Sequence, residues 1–360
     1  MSLNKLKYVL LLGGTGAMGQ FLVELFQKRN DIMCFVTSRK QREDGPNIKY
    51  LQGNAHDEDF LNMALTLYHW DAIVDFMLYE HTEFMEKIEN LLSSTSQYVY
   101  VSSARVYADS DDLISEDFPR LLDVCTDKEY LKTNEYALAK ARQENVLMCS
   151  NYKNWTIIRP SKTYGKNRIQ LGSQEKEDWL YDALHGRSIV VPHDILNKYV
   201  TFSSGLTVAK CLEVLLCNPK ALCNVYNVTG NQYVKWGDVL SLYKSILQKH
   251  LKQNIKIKYI DTWQEWLGGS YYQVKYSTAL NRRISNRKIL EIAPPALLYD
   301  DALEGLKNIL EDFLQNPCFD NVDSTRLLTK AKYTKEMPSF NEIKGKKKKL
   351  KLLLMKLNII

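Results

Sequence analysis

Short, almost wholly apolar runs punctuate the first half of the chain: Lys7–Leu12 (KYVLLL), Ile32–Thr37 (IMCFVT), Ile48–Leu51, Ala72–Phe76 (AIVDF) and Gln97–Val101 (QYVYV). Runs of that length, bounded by glycine or polar clusters, predict strands buried on both faces, as central parallel strands are. Between them, apolar residues recur at helical spacing from Ala17 to about Lys28 and from about Thr82 to Leu92. Another helical run extends from about Glu129 to Ser150 and leads to a sixth strand, Asn154–Arg159 (NWTIIR). Strands alternating with helices through short connections require parallel crossovers, hence an α/β fold with a doubly wound parallel sheet. Beyond residue 160 the pattern loosens. It predicts helices over Glu175–Gly186, Gly205–Leu216, Trp236–Leu247 and Asp301–Phe313, with strands at Ser188–Val191, Asn224–Val228 and Ile255–Ile260.

The polar residues at the ends of the first strands carry candidate chemistry. Gly13-Gly14-Thr15-Gly16-Ala17-Met18-Gly19 joins the first strand to the first helix. Glycine is needed where the chain turns, where backbone approaches a pyrophosphate and where helix packs on strand. Phosphates would then meet the amides of the helix N-terminus, which makes Gly13, Thr15, Gly16, Ala17, Met18 and Gly19 the candidate cofactor contacts. The second strand ends in Ser38-Arg39-Lys40, where an NAD site usually places an acid for the ribose. Those three residues suit a 2′-phosphate instead, so the expected cofactor is NADPH/NADP, with NAD as the alternative. Asp57 is placed to cap the next helix and, secondarily, to neighbour the adenine.

The fifth strand ends in Ser102-Ser103, and a hydroxyl there can donate to a substrate oxygen that gains charge. Tyr136 and Lys140, four apart in YALAK, share one helix face. A nearby ammonium favours phenolate over phenol and so makes proton transfer by the tyrosine feasible near neutral pH.

GGTGAMG after the first strand, VSSARVY after the fifth, YALAK on the next helix and IIRPSKTYG after the sixth strand together resemble the extended short-chain dehydrogenase/reductases, over roughly residues 7–310. This resemblance implies a Rossmann domain with a smaller C-terminal α+β substrate lobe. It implies a catalytic Ser103, Tyr136 and Lys140, and a segment at Pro160, following Arg159, that passes the nicotinamide. Ala108 stands where the family usually has glycine after Tyr107, and Ser203-Ser204-Gly205 replaces the acid usual before the helix at 205. The expected division is a cofactor domain over 1–165 with a returning segment near 188–230. The substrate lobe takes 166–187 and 231–316, and 317–360 is a peripheral extension. Arg105, Lys166 and Arg168 join Ser103 as candidate substrate contacts, the last two as a clamp for a pyrophosphate.

Composition narrows the setting. Seven cysteines, an odd number without a C-x-x-C pair, argue against a disulfide framework or structural zinc and fit a reducing cytosol. No signal peptide opens the sequence and no apolar stretch approaches the ~20 residues of a membrane span, so the expected location is cytoplasmic. The net charge of +6 lies wholly in residues 341–360, which hold seven lysines and one acid. The remainder is neutral and lacks a basic excess for a nucleic-acid backbone. GKKKKLKLLLMK (345–356) reads as a frayed tail or as a cationic amphipathic helix in weak contact with an anionic membrane surface. The resemblance also implies a homodimer formed through helices flanking the sheet, to which Leu131, Leu138 and Val146 could contribute.

Within such a family a dehydratase needs an acid pair after the hydroxyl residue, and here those positions are Ala104 and Arg105. An epimerase regenerates its cofactor in place, whereas a net reductase consumes hydride at each turnover and draws on NADPH. The basic Ser38–Lys40 corner favours reduction of a nucleotide-activated 4-keto sugar, of the kind that yields dTDP-fucose from dTDP-4-keto-6-deoxyglucose in surface-polysaccharide pathways. The alternatives are an NAD-dependent 4-epimerase, a reductase of lipid or phenolic carbonyls, and a non-catalytic protein that senses NADP or binds RNA.

Overall fold

The computed structural model describes residues 5–166, 168–265, 270–292 and 301–357. The chain runs β1 (Lys7–Leu12), α1 (Gly19–Phe26), β2 (Ile32–Ser38), β3 (Ile48–Gln52), α2 (Glu58–Thr66), β4 (Ala72–Asp75), α3 (His81–Ser93) and β5 (Tyr98–Val101). Two single-turn helices, α4 (Leu121–Val124) and α5 (Lys128–Leu131), precede α6 (Tyr136–Met148) and β6 (Trp155–Pro160). Then come β7 (Lys162–Tyr164), α7 (Lys176–Leu184), β8 (Ile189–Pro192), α8 (His193–Leu196), β9 (Tyr199–Ser204), α9 (Gly205–Leu215) and β10 (Asn224–Val228). The remainder is β11 (Tyr233–Lys235), α10 (Trp236–Leu251), β12 (Ile257–Ile260), α11 (Tyr271–Gln273), α12 (Arg287–Leu290), α13 (Ala302–Gln315), α14 (Ser324–Thr334) and α15 (Lys346–Lys356).

Seven strands form one sheet in the order β10-β6-β5-β4-β1-β2-β3, and each neighbouring pair in it is parallel. The doubly wound α/β fold expected from the apolar runs is the fold observed. Because side chains alternate across a strand, Val9 and Leu11 enter one core with Leu22, Val23 and Phe26 of α1 and Val208 and Leu212 of α9. Leu10 and Leu12 enter the other, with Leu61, Phe84, Ile88 and Leu147 from α2, α3 and α6. Ser204 caps α9, accepting from the Thr207 amide at 3.0 Å. A Cβ on Gly205 would lie 2.5 Å from the Ala17 carbonyl, so glycine there lets α9 approach α1, directly after the Ser203-Ser204 pair.

One predicted helix is broken in two. The run expected from Glu129 to Ser150 stops after Leu131 and restarts at Tyr136. The Thr133 hydroxyl takes the Tyr130 carbonyl at 2.7 Å, and the Arg142 guanidinium donates to the Leu131 and Thr133 carbonyls at 2.6 and 2.7 Å. Side chains thus hold backbone groups that a continuous helix would have paired. Tyr136 is the first residue of α6 rather than a mid-helix one.

The chain divides into two compact units. The first comprises Met1–Thr163, Thr201–Tyr233 and Arg282–Ala302; the second Tyr164–Val200, Val234–Asn281 and Leu303–Ile360. In the second unit β8 pairs in parallel with β12, and Trp179 of α7 stacks on Tyr243 of α10 with centroids 4.7 Å apart. Its C-terminal part has a core of its own: Leu327, Leu328 and Ala331 of α14 pack with Ile343, Leu352 and Met355. The Lys-rich segment is therefore an ordered helix on α14, not a frayed tail, because two of its apolar residues are buried there.

Candidate active site

From β3 at one edge of the sheet the chain crosses to β4 on the far side of β1, so the carboxyl ends of β1 and β4 face a crevice of the kind that binds ligands in open α/β sheets. Gly13 leaves β1 with φ of +69°, and a Cβ there would sit 2.9 Å from Met77 Sδ in the turn after β4. Its amide donates to Thr37 Oγ1 at 2.9 Å, and the Gly16 amide turns back to the Gly13 carbonyl at 3.3 Å. A Cβ on Gly19 would lie 2.4 Å from the Gly14 carbonyl oxygen, so α1 can start against the loop only with glycine there. Gly16 and Ala17 are exposed, Thr15 and Met18 half-buried, and Met18, the N-cap of α1, makes no side-chain capping bond. A helix start with no side-chain cap, preceded by a glycine turn whose backbone no Cβ obstructs, fits a dinucleotide pyrophosphate.

At the end of β2 the basic corner differs in detail from its sequence reading. Ser38 is buried and its hydroxyl donates to the Lys40 carbonyl at 2.7 Å, while accepting from the Lys40 amide and Arg42 Nε at 3.3 Å. Ser38 thus shapes the turn, and Arg39 and Lys40 stand exposed beside it. Arg42 is a third cation that the reading of Ser38–Lys40 omitted; its guanidinium lies 5.8 Å from the Tyr50 ring centroid. The signal was another basic residue two positions after Lys40. Asp57 caps α2, accepting from the Phe60 amide at 2.9 Å.

The two serines after β5 have different surroundings. Ser102 is buried and donates to Glu144 Oε1 at 2.6 Å. Ser103 is half-buried and its Oγ accepts the Arg105 amide at 3.2 Å; among the described residues its proton meets no acceptor. Arg105 lies over the Tyr136 ring at 5.1 Å from its centroid and forms an ion pair with Glu135. Glu135, the N-cap of α6, also accepts from the Tyr130 hydroxyl at 3.0 Å and the Ala137 amide at 2.8 Å. One turn into α6, Lys140 is 3% exposed, with Nζ 2.9 Å from the Val101 carbonyl and 3.5 Å from that of Met77. Burial holds its ammonium down to about 8, against the opposing pull of Asp75 and Glu144. Asp75, at the end of β4, accepts from the Tyr98 hydroxyl at 2.7 Å, and burial pushes its carboxyl up to about 6. Arg105 thus joins Ser103 to the Tyr136 ring, and Lys140 meets the last residue of β5 through the Val101 carbonyl.

Beneath them runs a buried polar network. Arg159 forks onto both oxygens of Glu144 at 2.9 and 2.7 Å and donates to the Tyr107 hydroxyl at 2.8 Å. Tyr107 in turn donates to Asn227 Oδ1 at 2.6 Å, and Arg120 reaches Glu144 at 3.1 Å. The network ties α6 to the ends of β5, β6 and β10, and the buried Pro160 follows Arg159 directly. Glu135, Glu144 and Asp75 escaped the sequence reading; an acid within the apolar run AIVDF was the available signal for Asp75. Lys166 and Arg168 belong to the second unit, both exposed, where Gly165 pairs with Arg168 in an antiparallel bridge and Lys166 Nζ lies 3.8 Å from Asp312. All seven cysteines are free thiols, and among the described residues no cluster of three His, Cys, Asp or Glu is placed for a metal.

The family model described as the NAD dependent epimerase/dehydratase family matches residues 9–200, more than half of the chain. Among curated proteins the chain is similar to the chloroplast stem-loop binding protein of 41 kDa b from Arabidopsis thaliana, 27% identical over 258 residues, covering 65% of this chain and 61% of that protein. The chain therefore matches less than two thirds of the length of that relative. Among solved structures it resembles dTDP-glucose 4,6-dehydratase from Bacillus anthracis in complex with NAD, with a TM-score of 0.63 at 16% identity, covering 86% of this chain and 97% of that one. UDP-glucuronic acid 4-epimerase from Bacillus cereus, in complex with UDP-glucuronic acid and NAD, gives 0.60 at 13% identity, covering 86% and 99%. At such identities these two structures speak to the fold alone.

Proposed function

The chain belongs to the NAD dependent epimerase/dehydratase family, and from that premise we propose that it reduces the 4-keto group of a nucleotide-activated sugar with NADPH, as in the conversion of dTDP-4-keto-6-deoxyglucose to dTDP-fucose. The glycine cradle at Gly13–Gly19 would hold the pyrophosphate, and Arg39, Lys40 and Arg42 the 2′-phosphate. A nicotinamide held there would supply the hydride that the carbonyl carbon takes up. Ser103 donates a hydrogen bond to the ketone oxygen with the proton it has to spare. Tyr136 hands its phenolic proton to that oxygen, which completes the alcohol and leaves a phenolate. Lys140 offsets that negative charge from one turn along α6, and Arg105 adds a second positive charge over the ring. Lys166 and Arg168 are the second unit's candidates for the phosphates of the substrate.

The observation that favours net reduction over epimerisation is the cationic corner after β2, exposed and without an acid among residues 38–42. Dehydration is disfavoured because Ala104 and Arg105 occupy the places an acid pair would need, and Glu135 is engaged by Arg105, Tyr130 and an α6 amide. Consumption of NADPH in the presence of a dTDP-4-keto-6-deoxyhexose, followed by absorbance and lost in Tyr136→Phe, supports this reading. Interconversion of sugars on added NAD without consumption would replace it with 4-epimerisation.

The chloroplast relative, whose name assigns it stem-loop binding, motivates a second reading as a Rossmann protein that holds RNA. Retention of a stem-loop RNA at physiological salt, with no cofactor turnover on any keto sugar, would favour it. The neutral charge of residues 1–340 weighs against it.

A further inference from the structure

The helix α15 has two apolar faces, only one of which the fold uses. Leu352 and Met355 are buried against α14, and Lys348 on that side lies 3.8 Å from Asp323 at the start of α14. Opposite them, Leu350, Leu353 and Leu357 are 57%, 42% and 59% exposed. At about 100° per residue, Leu353, Leu357, Leu350 and the half-buried Leu354 fall within an arc of about 100°. Lysines border that arc on both sides: Lys349 and Lys356 along one edge, Lys347 and Lys351 along the other, with Lys346 at its N-terminal end. Lys356 lies 4.9 Å from the ring centroid of Phe340, which is itself 39% exposed and widens the apolar surface.

We propose that the outer face of α15 is a docking surface for an anionic lipid bilayer, with the leucines entering the headgroup boundary and the flanking lysines reaching its phosphates. The charge pattern selects the partner. Residues 341–360 carry the whole net charge of the chain, so the attraction is confined to this one helix and its approach. A row of leucines edged by lysines suits an interface whose acyl region is apolar and whose headgroups are negative, with long lysine side chains extending outward to the phosphates. A nucleic-acid backbone would use the lysines and leave the leucines in water. No helix among the described residues is long and apolar enough to cross a membrane, so the contact is with the surface.

The test is sedimentation of the full chain with vesicles of phosphatidylcholine containing roughly a third phosphatidylglycerol, against vesicles of phosphatidylcholine alone. Binding is expected only to the anionic vesicles, and it should weaken as salt shortens the screening length. The Leu350→Ser, Leu353→Ser, Leu357→Ser variant should lose at least about tenfold in partitioning while keeping its thermal unfolding, since all three side chains are exposed. Equal sedimentation of that variant, or equal binding to both vesicle types, would overturn the proposal. So would a stem-loop RNA that binds the chain and is lost on Lys→Gln changes at 346, 347 and 349 but not on the leucine changes, with no vesicle bound.

Discussion

At Lys140 two demands conflict: an ammonium with 3% exposure has lost its water, yet in the proposed reaction its charge is what would make a Tyr136 phenolate attainable. The Val101 and Met77 carbonyls and the field of Asp75 keep it protonated at neutral pH, but only to about 8. Above that value the positive charge is lost and stabilisation of the phenolate goes with it. The rate of ketone reduction should therefore fall as pH rises through about 8, and a flat profile from 7 to 9 would sever Lys140 from the chemistry. Folding stability runs the other way. The unfolded chain keeps this proton up to the ordinary lysine range, so the Lys140 contribution grows as pH rises from about 8 towards 10.5 and is lost as pH falls through about 8. At the cofactor corner, Arg39→Ser combined with Arg42→Ser should weaken NADPH binding by about 10- to 100-fold, the worth of one or two charge-assisted hydrogen bonds. NADH affinity should stay unchanged, and fluorescence titration with both cofactors reads the difference. The difference between Ser102 and Ser103 could not be read from the sequence, because it depends on Glu144, which is 42 residues from Ser102.

Most strands were legible element by element, since a buried parallel strand announces itself as an apolar run: β1, β2 and β5 match their predicted limits to within a residue. The break before α6 was not, because Leu131 and Leu138 keep the helical period across it. Only the engagement of Thr133 and Arg142 with backbone carbonyls reveals the interruption. The break puts Tyr136 on the first turn, where the N-cap Glu135 and Arg105 bracket it. The orientation of α6 depends in turn on the Glu144–Arg159 fork, with both side chains buried. Arg159→Leu would leave the carboxylate with Arg120 as its one ion-pair partner beside the Ser102 hydroxyl, so unfolding should cost about 3–5 kcal/mol less than in the unaltered chain. Chemical denaturation measures that loss. A midpoint unmoved by the change would mean that the network is not what holds α6 to the sheet.

For the whole molecule, the net charge was informative only once located: a chain that looks basic is neutral over 340 residues and carries its excess on one helix. That α15 is ordered was hidden from the sequence, because the residues that order it, Leu327, Leu328 and Ala331, lie on another helix some twenty residues earlier. The glycine loop, the strand-end serines and the Tyr136–Lys140 pair were visible as motifs, each tied to its neighbours in sequence. The Glu144–Arg159–Tyr107–Asn227 network, spanning 120 residues at its widest, has no such local signature. Ser103, Tyr136 and Lys140 are proposed to serve a net, NADPH-driven reduction of a sugar ketone. Its most direct test supplies NADPH deuterated at the transferable nicotinamide position together with dTDP-4-keto-6-deoxyglucose, and follows the sugar by mass spectrometry. One deuterium is expected in each product sugar, matched by oxidised cofactor and absent in Tyr136→Phe. Sugar isomers that form without deuterium, while the NADPH remains intact, would contradict it.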